Sequence, residues 1–266
     1  MSAPVLSQLD VAVAALALVL CAGASAALSL GIARTLLIAG ARMVGQLLLL
    51  AVVLRWLFAL QSPAVTALAM LAMAGFAGVE VMNRQSRLAG RGWTLGLGAG
   101  VMLAGGWLVT VPALALLVRA DPWHAPQVAL PLFGMVAGSA MTGVALGLDT
   151  FARTVTREAR AIEGRLALGA TREAALADAR REAIRTGLMP VLNAMAATGV
   201  VTIPGMMTGQ ILAGADPMQA ARYQMLVMFL IATVSVGGTI GAVHALARRL
   251  TDERHRLRLD RLRGSG

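Results

Sequence analysis

The chain has 266 residues, 58% of them hydrophobic and 14% charged, with a formal charge of +10 at pH 7. Soluble domains are nearer a quarter charged, so this composition excludes a soluble globular protein and marks an integral membrane protein. All 23 basic residues are arginine, and the single cysteine, Cys21, rules out an internal disulfide and any cysteine-clustered metal site.

Seven apolar runs follow one another, each near the ~20 residues a helix needs to cross hydrocarbon, and they predict an all-α bundle. The first covers Leu9–Leu30; no Arg or Lys precedes it, so it reads as a span and not as a cleaved signal peptide. The second, Leu36–Leu60, contains Arg42 and Arg55, which must snorkel toward opposite interfaces. The third is Pro63–Met82, after a Gln61-Ser62-Pro63 turn. The fourth, Trp93–Val118, carries Pro112 as a kink. The fifth is Val128–Leu148, the sixth Gly187–Ala213 and the seventh Gln224–Ala247, followed by a charged tail, 248–266, expected to be helical and then frayed. Small-xxx-small pairs at Gly96/Gly100, Gly134/Gly138, Gly143/Gly147 and Gly237/Gly241 are expected to bring helices close together.

The loops set the orientation. Arg55, Arg119 and Arg222 fall on one side and every other arginine on the opposite side. Basic loops stay cytoplasmic, which predicts an outside N-terminus and a cytoplasmic C-terminus. The positive charge is thus a topology signal, and no nucleic-acid partner is implied.

Between spans five and six lies a polar segment, 150–186, with helix-favouring composition broken once at Leu168-Gly169-Ala170-Thr171. Two helices are expected, with Gly169 supplying a left-handed turn and Thr171 capping the second helix, whose N-terminal dipole Glu173 complements. Leu176, Ala179, Ala183 and Ile184 form its apolar face. Such a long cytoplasmic excursion offers a docking surface attached to span six without a linker.

Span six carries the densest polar pattern. Pro190–Gly214 holds Asn193, Thr198, Thr202, Thr208 and Gln210, with Pro204-Gly205 in the middle. Irregular backbone and uncharged polar groups at membrane depth belong beside protein or water, so this stretch is the candidate pathway lining. Met206-Met207-Thr208-Gly209 echoes Met141-Thr142-Gly143, which adds Thr142 to the set. Met195, Met206 and Met207 are candidate thioether ligands, although thioethers suit Cu(I) better than Fe(II) and methionine also serves as packing; metal ligation stays open. Glu80 and Asp149 border the spans at their cytoplasmic ends. They read either as interfacial partners of Arg84 and Arg153, each four residues on, or as a pair admitting a hard divalent cation from the cytoplasm. His124, His244 and His255 have no ligand spacing, and no constellation suits nucleophilic catalysis.

Glu163-Gly164-Arg165-Leu166-Ala167-Leu168-Gly169-Ala170 resembles the docking loop of ABC-transporter permeases, with Glu six residues before Gly. Pro131–Thr150, Ala167–Thr171, Met189–Met195, Ile203–Pro217 and Ala221–Phe229 together resemble the FetB family of bacterial permeases, related to plant aluminium-tolerance membrane subunits. The likeness runs from about Ile32 to Val243 and departs at Ser139 and Ala145, where Asn and Ser are expected. It implies the permease of an ABC-type exporter in the bacterial inner membrane, with iron or another metal as cargo. It also implies a homodimer and a FetA-like ATP-binding subunit docked at Glu163, Leu168, Gly169, Ala170 and Glu173. The chain has no Gly-x-x-x-x-Gly-Lys-Ser/Thr loop and no lysine, so a standard phosphate loop is excluded; ATP and magnesium belong to the partner, and this chain is a transport subunit and not an enzyme. The alternative is an autonomous secondary transporter or channel.

Overall fold

The structure, a computed structural model, describes residues 7–60, 62–118, 122 and 124–264. Arg119 of the Arg-poor side and Gln61 of the second turn lie outside these residues. Ten α-helices follow in order: α1 Gln8–Ala27, α2 Ala33–Leu60, α3 Pro63–Asn83, α4 Arg91–Pro112, α5 Pro126–Arg157, α6 Ala159–Ala167, α7 Arg172–Ala175, α8 Ala177–Ala197, α9 Gly205–Leu212 and α10 Pro217–Arg249. The only sheet among the described residues is one antiparallel pair, β1 (Arg87–Leu88) and β2 (Arg263–Gly264). α1 to α5 and α10 are each long and apolar enough to cross a membrane.

Local sequence explains the helix starts. At α1, Ser7 and Asp10 form a reciprocal capping box. α3, α5 and α10 each begin with proline, whose missing N–H costs nothing in a first turn; Asp216 adds a cap, taking the Gln219 N–H at 3.0 Å. The kink expected at Pro112 takes the form of a change of winding: α4 passes there into π-helical turns over Ala113–Val118.

Helix ends differ from the hydropathy boundaries. α5 runs to Arg157, past the expected Leu148, and α10 begins at Pro217 instead of Gln224. Hydropathy stops at the interface, whereas the helical hydrogen-bond ladder continues into water. The stretch expected as span six is two helices: α8 ends at Ala197 and α9 begins at Gly205. Its Gly187–Ala197 part is about 16 Å long, roughly half the ~30 Å hydrocarbon thickness.

α5 forms the centre and packs against α8, α10, α3 and α4, with α10 also packed against α4. Phe133, Val136, Val144, Leu148 and Phe151 of α5 are fully buried. The tightest crossing joins α5, α8 and α10. A methyl group at Gly187 would stand 2.6 Å from the Gly143 carbonyl oxygen and 2.7 Å from Thr239 Cγ2, so only glycine permits this approach. Gly78 and Gly98 let α3 meet α4 in the same way.

Of the four expected small-residue pairs, Gly143/Gly147 makes such a contact on both members. Gly134 meets only the tip of Met73, while Gly138, Gly96, Gly100, Gly237 and Gly241 have open space where a side chain would be. The i,i+4 spacing puts two glycines on one face but does not say which face meets a neighbour.

The α1–α2 hairpin is peripheral: Leu57 is the only buried residue of α2 among the described residues. The tail corrects the expectation of a frayed helix. After Arg249 the chain makes a hook, a 3-10 turn at Leu259–Arg261 and then β2, which returns to pair with β1 in the α3–α4 connection. Asp252 holds the hook by accepting the N–H groups of Arg254 and Arg256 at 3.0 and 2.9 Å and Arg256 Nε at 3.0 Å. This local capture competes with helix continuation.

Candidate functional site

α8 carries the 150–186 segment into the apolar part of the molecule. Ala179, Ala183, Gly187 and Val191 form one buried stripe along it, and the helix continues through Pro190 without ending. It stops at Thr198, where Gly199 takes φ +83. The N–H groups of Val200, Val201 and Thr202 then converge on the Ala197 carbonyl at 3.3, 3.0 and 3.1 Å. The break therefore lies before Pro204-Gly205, which instead starts α9.

The candidate polar residues divide by what they already bond. Thr198, Thr202 and Thr208 donate to the carbonyls of Ala194, Ala197 and Pro204, and Thr142 donates to that of Gly138. This local back-bonding satisfies each hydroxyl proton at membrane depth. The Asn193 and Gln210 side-chain amides have no hydrogen-bond partner among the described residues, and Asn193 is exposed. Met206 and Met207 are half-buried, and Met206 packs against the core. None of α9 is buried, and Val200 at the break is 87% exposed. The broken helix thus lies on the outside of the single chain.

At the Arg-rich end, both acids have the expected i,i+4 arginine and a second partner that spacing could not reveal. Glu80, with its side chain 26% exposed, takes Arg84 at 3.6 Å and Arg42 of α2 at 3.0 Å. Asp149, 17% exposed, takes Arg153 at 3.7 Å and accepts the Ser86 N–H and Oγ–H at 2.8 and 2.5 Å. A cation reaching either acid would compete with these groups. No cluster of three His, Cys, Asp or Glu side chains with metal-holding geometry occurs among the described residues.

The docking-like turn is built as its residues predict. Gly169 has φ +89, and the N–H groups of Gly169 and Ala170 close on the carbonyls of Leu166 and Arg165, each at 3.0 Å. Thr171 caps α7 by accepting the Ala174 N–H at 3.2 Å. Ile162 anchors α6 in the core, whereas Leu168 is 90% exposed at the turn. Glu163 is exposed and has no hydrogen bond or ion pair among the described residues. The Arg172 guanidinium donates to Glu173 at 2.9 Å and holds that carboxyl below the usual glutamate range.

Several links make the segment one body with α5 and α8. Arg165 bonds the Ala175 carbonyl and Asp178, Thr154 donates to Glu182, and Arg180 donates to the Glu173 carbonyl. One link was invisible in the sequence: His255 Nδ1 in the tail hook accepts the Arg172 N–H at 3.2 Å. Inside the bundle, the Thr110, Ser235 and Thr239 hydroxyls, the Gln224 amide oxygen and the Trp107 indole N–H are buried with no partner among the described residues. Hydropathy averages hid them, since single polar residues barely change a window.

Comparison with known proteins agrees with this architecture. The sequence profile of the uncharacterised protein family UPF0014 matches residues 8–251, so it includes α1, which the FetB-like motifs had left out. The UPF0014 membrane protein slr1647 of Synechocystis is 36% identical over 226 residues, 84% of this chain and 85% of its own length. The probable iron export permease protein FetB of Escherichia coli is 30% identical over 226 residues, 84% of this chain and 83% of its own. The UPF0014 membrane protein STAR2 of rice is 34% identical over 211 residues, 79% and 72% of the two chains. No solved structure matches. With a family match over nearly the whole chain and six membrane-length helices, the chain is a multi-pass membrane protein and belongs to the UPF0014 family.

Proposed function

We propose that the chain is the permease subunit of an ABC-type exporter, with iron as its cargo and a separate FetA-like subunit supplying ATP hydrolysis. The observation that carries this reading is mechanical. The exposed Leu168 turn is bonded into a segment that continues, without a linker, into the stripe of α8 packed at Gly143, Gly147 and Thr239. Motion of a partner pressed on that turn would reach the break at Thr198–Pro204 through one rigid helix. A secondary transporter has no use for such a surface. The iron assignment draws on the resemblance to the probable iron export permease FetB.

In this mechanism the Arg-rich end is cytoplasmic, and α8, the break and α9 together make span six, which brings the crossings of the bacterial inner membrane to seven. Asn193 and Gln210, the amides without intrachain partners, line the pathway with Thr142, Met206, Met207 and Thr208. Because this face is open in one chain, a second copy completes it. Glu80 and Asp149 offer carboxylates at the cytoplasmic mouth, where cargo would displace arginine from one of them.

The test is co-purification. The chain expressed with its ATP-binding subunit is expected to retain that subunit in detergent, and Leu168→Asp is expected to release it while the permease stays folded. Failure of the wild-type chain to retain any ATPase, with iron export persisting after ATP depletion, would instead support a gradient-driven transporter.

A further inference from the structure

Two clefts at the Arg-rich end carry strong positive charge. The smaller, about 130 Å³ between α7, α8 and α10, gathers Arg172, Arg180 and Arg248 but also contains Glu173, which already holds the Arg172 guanidinium. The larger, about 370 Å³, lies between the α3–α4 connection and the far end of α5, and its walls are Ser86, Arg87, Arg153, Thr156 and Arg157, with no acid among them. Acids lie at its margins: Asp149 is 3.7 Å from Arg153, and Glu158 and Glu182 are 3.0 and 4.0 Å from Arg157. Both Arg157 pairs are largely exposed, and exposed pairs hold their partners weakly; Asp149 is only 17% exposed, but the Arg153 side chain it meets is 70% exposed. Arg87 has no ion-pair partner among the described residues. The Ser86 and Thr156 hydroxyl protons already go to Asp149 and the Ala152 carbonyl, so the guanidiniums are the donors that remain.

Depth selects the occupant. α5 leaves its apolar run at Leu148, so at the helical rise Arg153 stands about 7 Å and Arg157 about 13 Å beyond it. The headgroup layer occupies roughly 5–8 Å on each side of the hydrocarbon. Arg153 therefore stands level with the lipid headgroups, and Arg157, one turn farther out, reaches back toward them through its long side chain. Pairing of β1 with β2 fixes the Ser86–Arg87 wall against the tail.

We propose that this cleft binds the phosphodiester headgroup of an anionic phospholipid, with Arg87, Arg153 and Arg157 as its donors. Arginine forks match phosphate oxygens, and basic pockets between membrane helices take anionic headgroups. The lipid would brace the α3–α4 connection against α5 beside the segment α6–α8. Assignment to the cytoplasmic leaflet rests on the orientation proposed above; the binding itself does not.

The experiment is native mass spectrometry of the detergent-purified full chain with phosphatidylglycerol or phosphatidylcholine, alongside thermal unfolding with the same lipids and with inorganic phosphate. Phosphatidylglycerol is expected to bind about tenfold more tightly than phosphatidylcholine and to raise the unfolding temperature, while phosphate alone does not. Arg87→Gln, which breaks no ion pair, is expected to weaken phosphatidylglycerol roughly fivefold. Arg87→Gln with Arg157→Gln should remove the preference, Arg87→Lys with Arg157→Lys should keep most of it, and Arg222→Gln should leave it unchanged. Equal binding of the two lipids, a preference untouched by Arg87→Gln, or inorganic phosphate matching the lipid would each overturn the proposal. None of these outcomes depends on whether an ATPase partner exists.

Discussion

At the residue scale, one glycine and one aspartate each fix the local structure. Gly187 sits where two helix backbones and Thr239 meet, and an added methyl group has little room because the Gly143 carbonyl oxygen and the Gly147 Cα that it would meet are backbone atoms. Gly187→Ala is expected to lower stability by about 1–3 kcal/mol, read as an earlier thermal transition in detergent. Gly138→Ala, with open space at its Cβ, should leave the transition unchanged. Asp252 differs in lying in the tail hook, its side chain 14% exposed and its carboxyl held below the ordinary aspartate value near 3.8 by the Arg256 and Arg254 N–H groups and the Arg256 side chain. A depressed acid stabilises the fold above its unfolded value and loses that contribution as pH falls through the depressed value. The hook should therefore keep its full stability from neutral pH down to about pH 4 and lose it progressively below, as pH falls through the depressed value. Amide hydrogen exchange at Arg254 and Arg256 measures this, and Asp252→Asn should expose both amides at pH 7.

Elements were legible where the determinant is local. Gly169 and Thr171 announced the turn and cap because φ and capping depend on a few neighbouring residues. The spans were legible because lipid demands an apolar run. Long-range partners were not: Arg42 finds Glu80 across 38 residues, and His255 reaches Arg172 across 83. The broken helix was only partly readable. The sequence marks a break through Pro204-Gly205, while the chain actually turns at Thr198–Thr202, since proline is well tolerated where α9 begins. At this scale the decisive prediction concerns α8 as a lever. Replacing Arg185 and Thr186 with glycine costs roughly 1 kcal/mol each in helix propensity and softens the helix between the Leu168 turn and the Gly187 crossing. Retained ATPase binding and hydrolysis with transport reduced several-fold is the expected result; transport unchanged would show that α8 does not transmit the motion.

For the whole molecule, the α1–α2 hairpin, the outer faces of α8 and α9 and the break between them expose large apolar side chains, Val200, Val201 and Ile203 of the break among them. Lipid alone can cover these residues, but it cannot satisfy the Asn193 and Gln210 amides; a second copy facing the break would do both. In a Cys21→Ser background, Val201→Cys is expected to form a disulfide-linked dimer on mild oxidation in membranes, with Leu168→Cys giving none. Monomer alone from both would argue against this interface. Sidedness is tested by membrane-impermeant thiol labelling of single cysteines, with Ser7→Cys reacting from outside and Leu168→Cys only after permeabilisation.

The central claim, that a separate ATPase drives this permease through the Leu168 turn, is tested most directly by transport in vesicles. The chain is reconstituted with its ATP-binding subunit, and Fe(II) movement is followed with and without ATP, for the wild type and for Leu168→Asp. ATP-dependent transport that Leu168→Asp abolishes is the predicted result. Equal Fe(II) movement without ATP, or in vesicles lacking the second subunit, would contradict it.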